Sequence, residues 1–326
     1  MDLGAVQNGI SDIGLTYLQD KRIAIDAQLK NSYFRPMLHI PVLSNEIVTA
    51  FEPFVDQSEI VYLDGTFGRG GHYKLLLEKN PNLKTFAFDQ DPDAHTYAHE
   101  NFADRIQSKK LNLFQDNFLN FDKHYTGGID FALLDLGVSS PQLDRPERGF
   151  SFYHDGPLDM RMNNLEGETA ADLVNNMSEN DLIVLFKTFG EIHNPFRVVR
   201  AILEDRQTTP FTTTKQLSGL IERVDGWRKK GFHPATQYFM ALRLKINREL
   251  EVVDQVLPKL MEKMNKNGRL AVITFHSLED RIVKNLFRIY PELGDPLRRK
   301  VTHPTREEEL ANPRSRSAKL RVFVRT

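Results

Sequence analysis

The sequence predicts an α/β protein with a mostly parallel sheet, covered by helices on both faces and interrupted by an inserted helical subdomain. Short apolar runs alternate with segments of helical periodicity, a rhythm typical of strands buried on both faces. About 130 residues separate the fourth apolar run from the fifth, and a structureless loop of that length is improbable in a compact domain. These two observations together predict the architecture.

Five apolar runs are the candidate parallel strands, and three of them end in an aspartate: Ile60–Asp64, Thr85–Asp89, Leu111–Phe114, Ile129–Asp135 and Arg269–Phe275. Helices are expected at about His72–Lys79 and Asp93–Asn101, after the first two runs. The segment Lys319–Arg325 alternates polar and apolar residues, which predicts a final, antiparallel strand.

The long connection between the fourth and fifth strands has helical periodicity around residues 179–189, 196–206 and 213–224. One further helix, about Ala235–Met264, is expected to lead back to the sheet. We therefore predict three parts. They are an N-terminal extension at residues 1–38, a core at 39–140 and 249–326, and an inserted helical domain at 141–248.

The composition narrows the class of protein. The chain has 326 residues, 40% of them hydrophobic, which is enough for a packed core. No run approaches the roughly 18 consecutive apolar residues of a membrane span, and the first residues lack the pattern of a signal peptide. A net charge of -1 leaves nucleic acid open as a partner, because binding depends on where the basic residues lie. We expect a soluble cytoplasmic protein without a membrane partner.

A glycine-rich loop, Asp64–His72, joins the first strand to the helix that follows. Glycines allow the backbone to approach a ligand, and the N-terminus of a helix favours negative charge. That charge would be a pyrophosphate in a dinucleotide enzyme, or the methionine carboxylate of S-adenosylmethionine. Asp89 lies 19 residues after Gly70, where an acid can accept hydrogen bonds from ribose hydroxyls. The loop and Asp89 together predict a nucleoside cofactor.

The loop Asp135–Gln142 leaves the fourth strand at the sheet edge where ligands bind in open parallel sheets. Asp135 and the carbonyls after it could accept hydrogen bonds from an amino group and localise its lone pair on nitrogen. We take Asp135, with Ser139 and Ser140 of the same loop, as the candidate catalytic residues. The loop lacks the Pro-Pro-aromatic sequence common in amino-group methyltransferases, so its spacing alone supports an amine target only weakly.

The absence of cysteine excludes several ways of modifying a base. Methylation at carbon 5 of a pyrimidine generally needs a cysteine nucleophile, and an iron–sulfur radical route needs cysteine ligands. A zinc base deaminase needs a His/Cys/Cys set. In-line displacement at a sulfonium methyl group remains, and it requires neither a covalent intermediate nor a metal.

From about His39 to Arg325 the sequence resembles the bacterial MraW family of ribosomal RNA cytosine N(4)-methyltransferases. Eight blocks carry the resemblance: Asp64–His72, Asp135–Gln142, Glu147–Phe152, Asp155–Met162, Gly190–Glu191, His233–Thr236, Phe275–Arg281 and Asn312–Ser317. The resemblance implies a class I S-adenosylmethionine-dependent methyltransferase sheet, with residues 141–248 as the substrate-recognition domain. It also implies a cytosine in the decoding region of 16S ribosomal RNA as the substrate. The partner would be the assembled or assembling 30S subunit, and a homodimer is open.

The resemblance also assigns roles to the cofactor residues. Gly70, Gly71 and His72 would hold the methionine end of S-adenosylmethionine, and Asp89 the ribose. Phe118 would lie at the adenine, with Asp135 and Gln142 near the methyl donor. Gln237 stands where the family often has arginine.

Candidate substrate residues come from three segments. Given the resemblance, we expect Arg148, Phe150, Phe152 and Arg161 to line the entrance of the active site, with one of the two phenylalanines stacking on an unstacked base. Trp227 and His233 lie among basic residues, a mixture that suits single-stranded RNA. His276 follows the fifth strand and is expected to cap or orient the site. The segments Arg298–Lys300 and Arg314–Arg321 form a second basic zone.

Two other functions stay open at this point. A nicotinamide-dependent oxidoreductase also uses a glycine loop and a strand-end acid, although the helical insertion begins where its second nucleotide-binding half would start. A non-catalytic RNA-binding module would share the basic segments. A hydrolase is disfavoured because no Gly-x-Ser-x-Gly sequence is present.

Overall fold

The computed structural model describes residues 41–226 and 233–326. The predictions for residues 1–38 and for Trp227 therefore lie outside the described residues. Within the described ranges, no helix is both long and apolar enough to cross a bilayer.

The described ranges contain one sheet of seven strands in the order β3-β2-β1-β4-β5-β7-β6. The strands are β1 Ile60–Asp64, β2 Leu83–Phe88, β3 Leu111–Phe114, β4 Ile129–Asp135, β5 Met264–Thr274, β6 Gly294–Pro296 and β7 Lys319–Arg325. Strands β1 to β5 pair in parallel, and β7 runs antiparallel to β5 and β6. The five predicted parallel strands and the antiparallel final strand are confirmed. The short strand β6 was not predicted.

Helices cover both faces of this sheet. Before the long connection they are α1 Ser44–Phe51, α2 Gly71–Lys79, α3 Pro92–Asn101, α4 Ala103–Gln107 and α5 Phe121–His124, and the short helix α6 Ser140–Asp144 begins that connection. Strand β4 shows why both faces need cover, because its side chains alternate between two cores. Phe131 and Leu133 belong to the core on one face, and Ala132 and Leu134 to the core on the other.

The connection between β4 and β5 is helical, as predicted. It contains α7 Ala170–Asn176, α8 Glu179–Thr188, α9 Phe196–Asp205, α10 Thr214–Asp225, α11 Thr236–Ile246 and α12 Glu249–Lys263. A third hydrophobic core, from Phe150 to Leu242, lies within this stretch. The boundaries of the inserted domain at residues 141 and 248 stay a prediction. After β5 come α13 Ser277–Ile289 and α14 Arg306–Ala311.

The prediction of one helix over Ala235–Met264 is wrong, because the stretch forms two helices, α11 and α12, with an interruption between them. Arg248 adopts a left-handed conformation with φ of 51°. The side chain of Asn247 donates to the carbonyl of Met160 over 2.9 Å and accepts from the N–H of Met162 over 2.8 Å. No glycine or proline marks this left-handed residue, and the apolar periodicity continues across it. The sequence therefore does not reveal the interruption.

Candidate active site

The predicted site residues follow adjacent strands at one edge of the sheet. Strands β3, β2, β1, β4 and β5 are neighbours and run in parallel, so the loops after them share that edge. This arrangement brings together the residues predicted to bind the cofactor: Gly70, Gly71 and His72 after β1, Asp89 after β2, Phe118 after β3, and Asp135 and Gln142 after β4.

The glycine loop is held in one shape by its own contacts. Gly68 and Gly70 have φ of 53° and 66°, which favours glycine. A Cβ at Gly70 would lie 2.8 Å from the rings of Phe67 and Phe102, so a larger residue does not fit there. Helix α2 begins at Gly71, and its first backbone N–H groups have no partner within the helix. The loop therefore presents donors suited to a carboxylate.

Asp89 links the end of β2 to the glycine loop. Its Oδ2 accepts from the N–H of Gly68 over 2.7 Å, and its Oδ1 accepts from the N–H of Asp91 over 2.9 Å. Burial raises the pKa of Asp89 to about 7, although these two backbone hydrogen bonds act to lower it. Each carboxylate oxygen keeps a lone pair for a further donor, as a ribose diol would supply.

Asp135 lies beside His72 at the end of β4. The Nε2 of His72 is 3.5 Å from Oδ2 of Asp135, and Oδ1 of Asp135 is buried with no hydrogen-bond partner among the described residues. The backbone N–H of Asp135 donates to Oγ1 of Thr66 over 2.7 Å. Thr66, which the sequence analysis missed, therefore ties the glycine loop to the strand end that carries Asp135.

Asp64, at the end of β1, completes this group. It is 2% exposed, and its Oδ2 accepts from the hydroxyl of Tyr62 over 2.7 Å. Burial raises the pKa of Asp64 to about 6, while the bond from Tyr62 and the interaction with His72 lower it. Neither Asp64 nor Tyr62 was predicted as a site residue, because both look like ordinary strand residues.

Gln142 and Arg148 meet on a residue that the sequence analysis missed, Asp91. The Nε2 of Gln142 and Nη1 of Arg148 donate to the same oxygen, Oδ2 of Asp91, over 2.8 and 2.7 Å. The three residues are between 4% and 6% exposed. The Nη2 of Arg148 donates to the carbonyls of Arg161 and Met162. Arg148 therefore lies inside the protein and does not face solvent at an entrance.

Ser139 serves as the N-cap of α6. Its Oγ accepts from the N–H of Gln142, and its own N–H donates to Oε1 of Gln142 over 2.9 Å. This reciprocal capping fixes both side chains. Ser140 is the first residue of the same helix. The catalytic role predicted for these serines stays a prediction.

Phe118 lines a cleft at this edge of the sheet. Amide side chains from Gln90 and Asn117 border it, and Leu136 and Gly137 of the loop after β4 form another wall. Residues from the long connection close the remaining side: Met162, Asn247, Glu249, Val252 and Val253. A lining of apolar side chains with a few amides and one carboxylate suits a flat heteroaromatic ring.

The residues predicted to line the entrance do not form one exposed surface. Phe150 and Phe152 are 7% and 8% exposed, and both belong to the core of the long connection. The ring of Phe152 stacks on His233 with centroids 4.4 Å apart. Arg161 makes two hydrogen bonds of 2.8 Å to Asp159. Tyr153 is the aromatic residue that emerges here, with 69% of its surface exposed.

The ring of Tyr153 packs against two other rings. Its centroid lies 4.8 Å from that of Phe152 and 6.2 Å from that of His233. The Nε2 of His233 is in turn 3.1 Å from Oε1 of Glu222. The motif that contains Phe152 indicated an aromatic substrate contact in this loop. Hydrophobic periodicity could not show which ring of the loop is exposed.

His276 caps helix α13. Its Nδ1 accepts from the N–H of Glu279, and its Nε2 is 3.1 Å from Oε1 of the same residue. Glu279 is 1% exposed; although burial raises its pKa, His276 and Arg243 lower it below the ordinary value. The expected capping is therefore present, and contact with substrate stays a prediction. Asp280 pairs with Arg321, with Nε and Oδ1 2.7 Å apart.

Known proteins of one family resemble this chain over most of its length. A family model described as the MraW methylase family matches residues 36–326. Three relatives carry the name Ribosomal RNA small subunit methyltransferase H. That of Bdellovibrio bacteriovorus is 56% identical over 288 residues, covering 88% of each chain.

The other two relatives are more distant. Those of Shewanella violacea and Neisseria meningitidis are each 42% identical, and the matches cover 88% of this chain and 97% and 93% of theirs. These matches leave the oxidoreductase and the non-catalytic module without support. The match with the family model spans nearly the whole chain, and the chain therefore belongs to the MraW methylase family.

Proposed function

We propose that this protein transfers a methyl group from S-adenosylmethionine to the exocyclic N(4) amino group of a cytosine in the decoding region of 16S ribosomal RNA. One observation carries the chemical part of the proposal. The carboxyl group of Asp135 ends β4 next to the glycine loop, and its buried Oδ1 has no partner among the described residues. An amino group placed there would supply the missing donor.

The residues around Asp135 fit the cofactor. The N–H groups at the start of α2 suit its methionine carboxylate, and Asp89 can accept hydrogen bonds from the two ribose hydroxyls. The cleft beside Phe118 suits the adenine ring. Gln142, fixed by Asp91, borders the same edge of the sheet. When bound, S-adenosylmethionine supplies a sulfonium methyl group for in-line displacement.

The protein's part in the reaction is to position and orient the amine. The exocyclic nitrogen of cytosine delocalises its lone pair into the ring, which makes it a weak nucleophile. A hydrogen bond from that nitrogen to Oδ1 of Asp135 would localise the lone pair and stabilise the positive charge that develops during transfer. The bond between the Asp135 N–H and Thr66 fixes the strand end in advance.

We also propose that residues 141–248 recognise the RNA. This stretch contributes a separate hydrophobic core and the exposed ring of Tyr153. Exposed aromatic rings suit recognition of unstacked bases. The substrate would be the assembled or assembling 30S subunit in the cytoplasm, and a homodimer is the proposed alternative to a monomer.

The test compares ribosomal RNA before and after incubation with the protein and S-adenosylmethionine. Naked 16S RNA and 30S subunits from a strain lacking this activity are the two substrates, and mass mapping locates the product. A single methyl group on one cytosine N(4), formed in 30S subunits in preference to naked RNA, is expected. Methylation at carbon 5, or at a base outside the decoding region, would contradict the proposal. Sedimentation of the purified protein settles whether it is a dimer.

A further inference from the structure

The imidazole of His72 is buried without satisfying its hydrogen-bonding groups. The residue is 7% exposed, and neither ring nitrogen has a hydrogen-bond partner among the described residues. Buried polar groups are normally paired, so an unpaired one at the ligand edge of a sheet indicates a partner that joins during function. Its neighbour Asp135 has an unpaired buried oxygen as well.

Carboxyl groups from three different elements face this imidazole. Asp135 of β4 is 3.5 Å away, and Asp64 of β1 and Glu308 of α14 interact with it electrostatically. Burial raises the pKa of Asp64 and of Glu308, and the interaction with His72 lowers both. Glu46 of α1 faces Glu308 in turn. Carboxyl groups therefore lie on several sides of His72.

The proposed reaction produces a proton at this place. As the bond between carbon and nitrogen forms, the bond between the methyl carbon and sulfur breaks and its electron pair leaves with sulfur. The amine nitrogen becomes positively charged and loses one proton, which restores a neutral methylated amine. Oδ1 of Asp135 is the nearest acceptor on this chain in the proposed arrangement.

We propose that His72 is the positioning residue of Asp135 and takes the proton that Asp135 receives. The inference rests on the proposed function, because it concerns the amine that the function places at Asp135. The proton moves from the amine nitrogen to Oδ1 of Asp135. Rotation of the protonated carboxyl group then turns this oxygen towards His72, and the proton passes to Nε2. The distance of 3.5 Å is long for a hydrogen bond, and such contacts tighten when substrate closes the site.

Two other titratable groups near this edge have hydrogen bonds of their own. Asp64 accepts from Tyr62 and from the N–H of Thr66. Nδ1 of His276 accepts from the N–H of Glu279, where it caps a helix. His72 differs from both because neither of its ring nitrogens has a hydrogen-bond partner among the described residues and because it lies next to Asp135.

His72→Gln separates proton transfer from positioning. Glutamine keeps an N–H group that can hydrogen-bond to Asp135, but it does not take a proton near neutral pH. The measurement is the single-turnover rate of methyl transfer to 30S subunits at saturating S-adenosylmethionine, from roughly pH 5.5 to 8.5. The wild-type rate is expected to fall as the pH is lowered, because an imidazole that already carries a proton on both nitrogens cannot take another.

The variant is expected to transfer methyl about 100-fold more slowly and to lose that fall at acid pH. Because His72 also belongs to the residues predicted to hold the methionine end of the cofactor, the Kd for S-adenosylmethionine is measured for each variant, and saturation is set from that value. His124→Gln is the matched control. His124 pairs with Asp116 rather than Asp135, so this variant should keep the wild-type rate and pH profile.

Two results would overturn the inference. One is a His72→Gln protein with the wild-type rate and pH profile; the other is weaker S-adenosylmethionine binding with an unchanged saturated rate. If His72→Gln fails to fold, His72→Ala with added imidazole replaces it, where rescue supports the inference and absence of rescue overturns it. A wild-type protein that transfers no methyl to cytosine would instead reject the proposed function itself.

Discussion

Nη1 of Arg148 lies 2.7 Å from Oδ2 of Asp91, and both side chains are more than nine-tenths buried. Two parts of the chain that are distant in sequence meet at this ion pair. Asp91 precedes helix α3, Gln142 belongs to α6, and Arg148 comes just before the loop that contains Met160 and Met162. The pair therefore joins the ribose side of the proposed cofactor site to the start of the long helical connection.

Arg148→Met is expected to lower the free energy of unfolding by about 3–5 kcal/mol, because it leaves the carboxylate of Asp91 buried without its cation. Urea denaturation at neutral pH measures the change. Arg145→Met is the control: Arg145 pairs with Asp93 on the surface, so the cost there should stay below about 1 kcal/mol. An equal loss of unfolding free energy in the two variants would show that the buried pair contributes no more to stability than the surface pair.

Asp135→Asn should keep the fold and the binding of S-adenosylmethionine but slow methyl transfer about 10²- to 10³-fold. The amide removes the negative charge that stabilises the developing cation on the amine nitrogen. Single-turnover transfer and calorimetric binding separate the two effects. Asp122→Asn, which removes an exposed partner of Lys259, should transfer at the wild-type rate. A variant at Asp135 with undiminished rate would remove this carboxylate from the reacting centre.

The affinity for S-adenosylmethionine is expected to fall as pH is lowered through about 7. Burial raises the pKa of Asp89 to about 7, and the ionised form accepts from the ribose hydroxyls. Protonation removes acceptor capacity, so affinity is present above this pKa and lost below it. If only the ionised form binds, Kd should rise about eightfold between roughly pH 7.5 and 6.

Calorimetry with S-adenosylmethionine, repeated on Asp89→Asn, checks this pH dependence. The variant should bind weakly and with much less dependence on pH. Retention of the full pH dependence in Asp89→Asn would assign it to another group.

Tyr153→Ala should weaken binding of the RNA substrate by about 1–3 kcal/mol, because stacking on a base contributes that much. Tyr153→Phe retains the ring and serves as the control, with affinity expected near wild type. Leu165→Ala removes an equally exposed apolar side chain, and its effect should be small. Filter binding of 30S subunits or RNA fragments measures all three. If the phenylalanine variant binds as weakly as the alanine variant, the hydroxyl rather than the ring makes the contact.

The strands of the sheet were predictable because their signal is local. Ile60–Asp64 and Ile129–Asp135 are uninterrupted apolar runs that end in an acid, and the structure has strands with those bounds. Helix α1 and strand β6 were not predicted. Strand β6, Gly294–Pro296, is only three residues long and therefore too short to show a pattern. The break at Arg248 was missed because no glycine or proline marks it.

Site residues that belong to a local sequence motif were predictable. Site residues whose hydrogen-bond partners are distant in sequence were not. The glycine loop and Asp135 stand out in the sequence alone. Asp91 looks like an ordinary helix cap before Pro92, and it does accept from the N–H of Asp93. Its bonds to Gln142 and Arg148 span 51 and 57 positions, so only the fold reveals them. We expected Arg148 at the entrance of the active site, but it is buried. Its partner Asp91 is distant in sequence, so the sequence did not reveal this burial.

The short stretch from Met160 to Met162 is held from two directions. Arg148 donates to the carbonyls of residues 161 and 162, and Asn247, at the break between α11 and α12, bonds to Met160 and Met162. Met162 also forms part of the cleft beside Phe118. A ligand that orders the helical connection therefore stiffens a wall of this cleft, and linkage requires the reverse effect to be equally large.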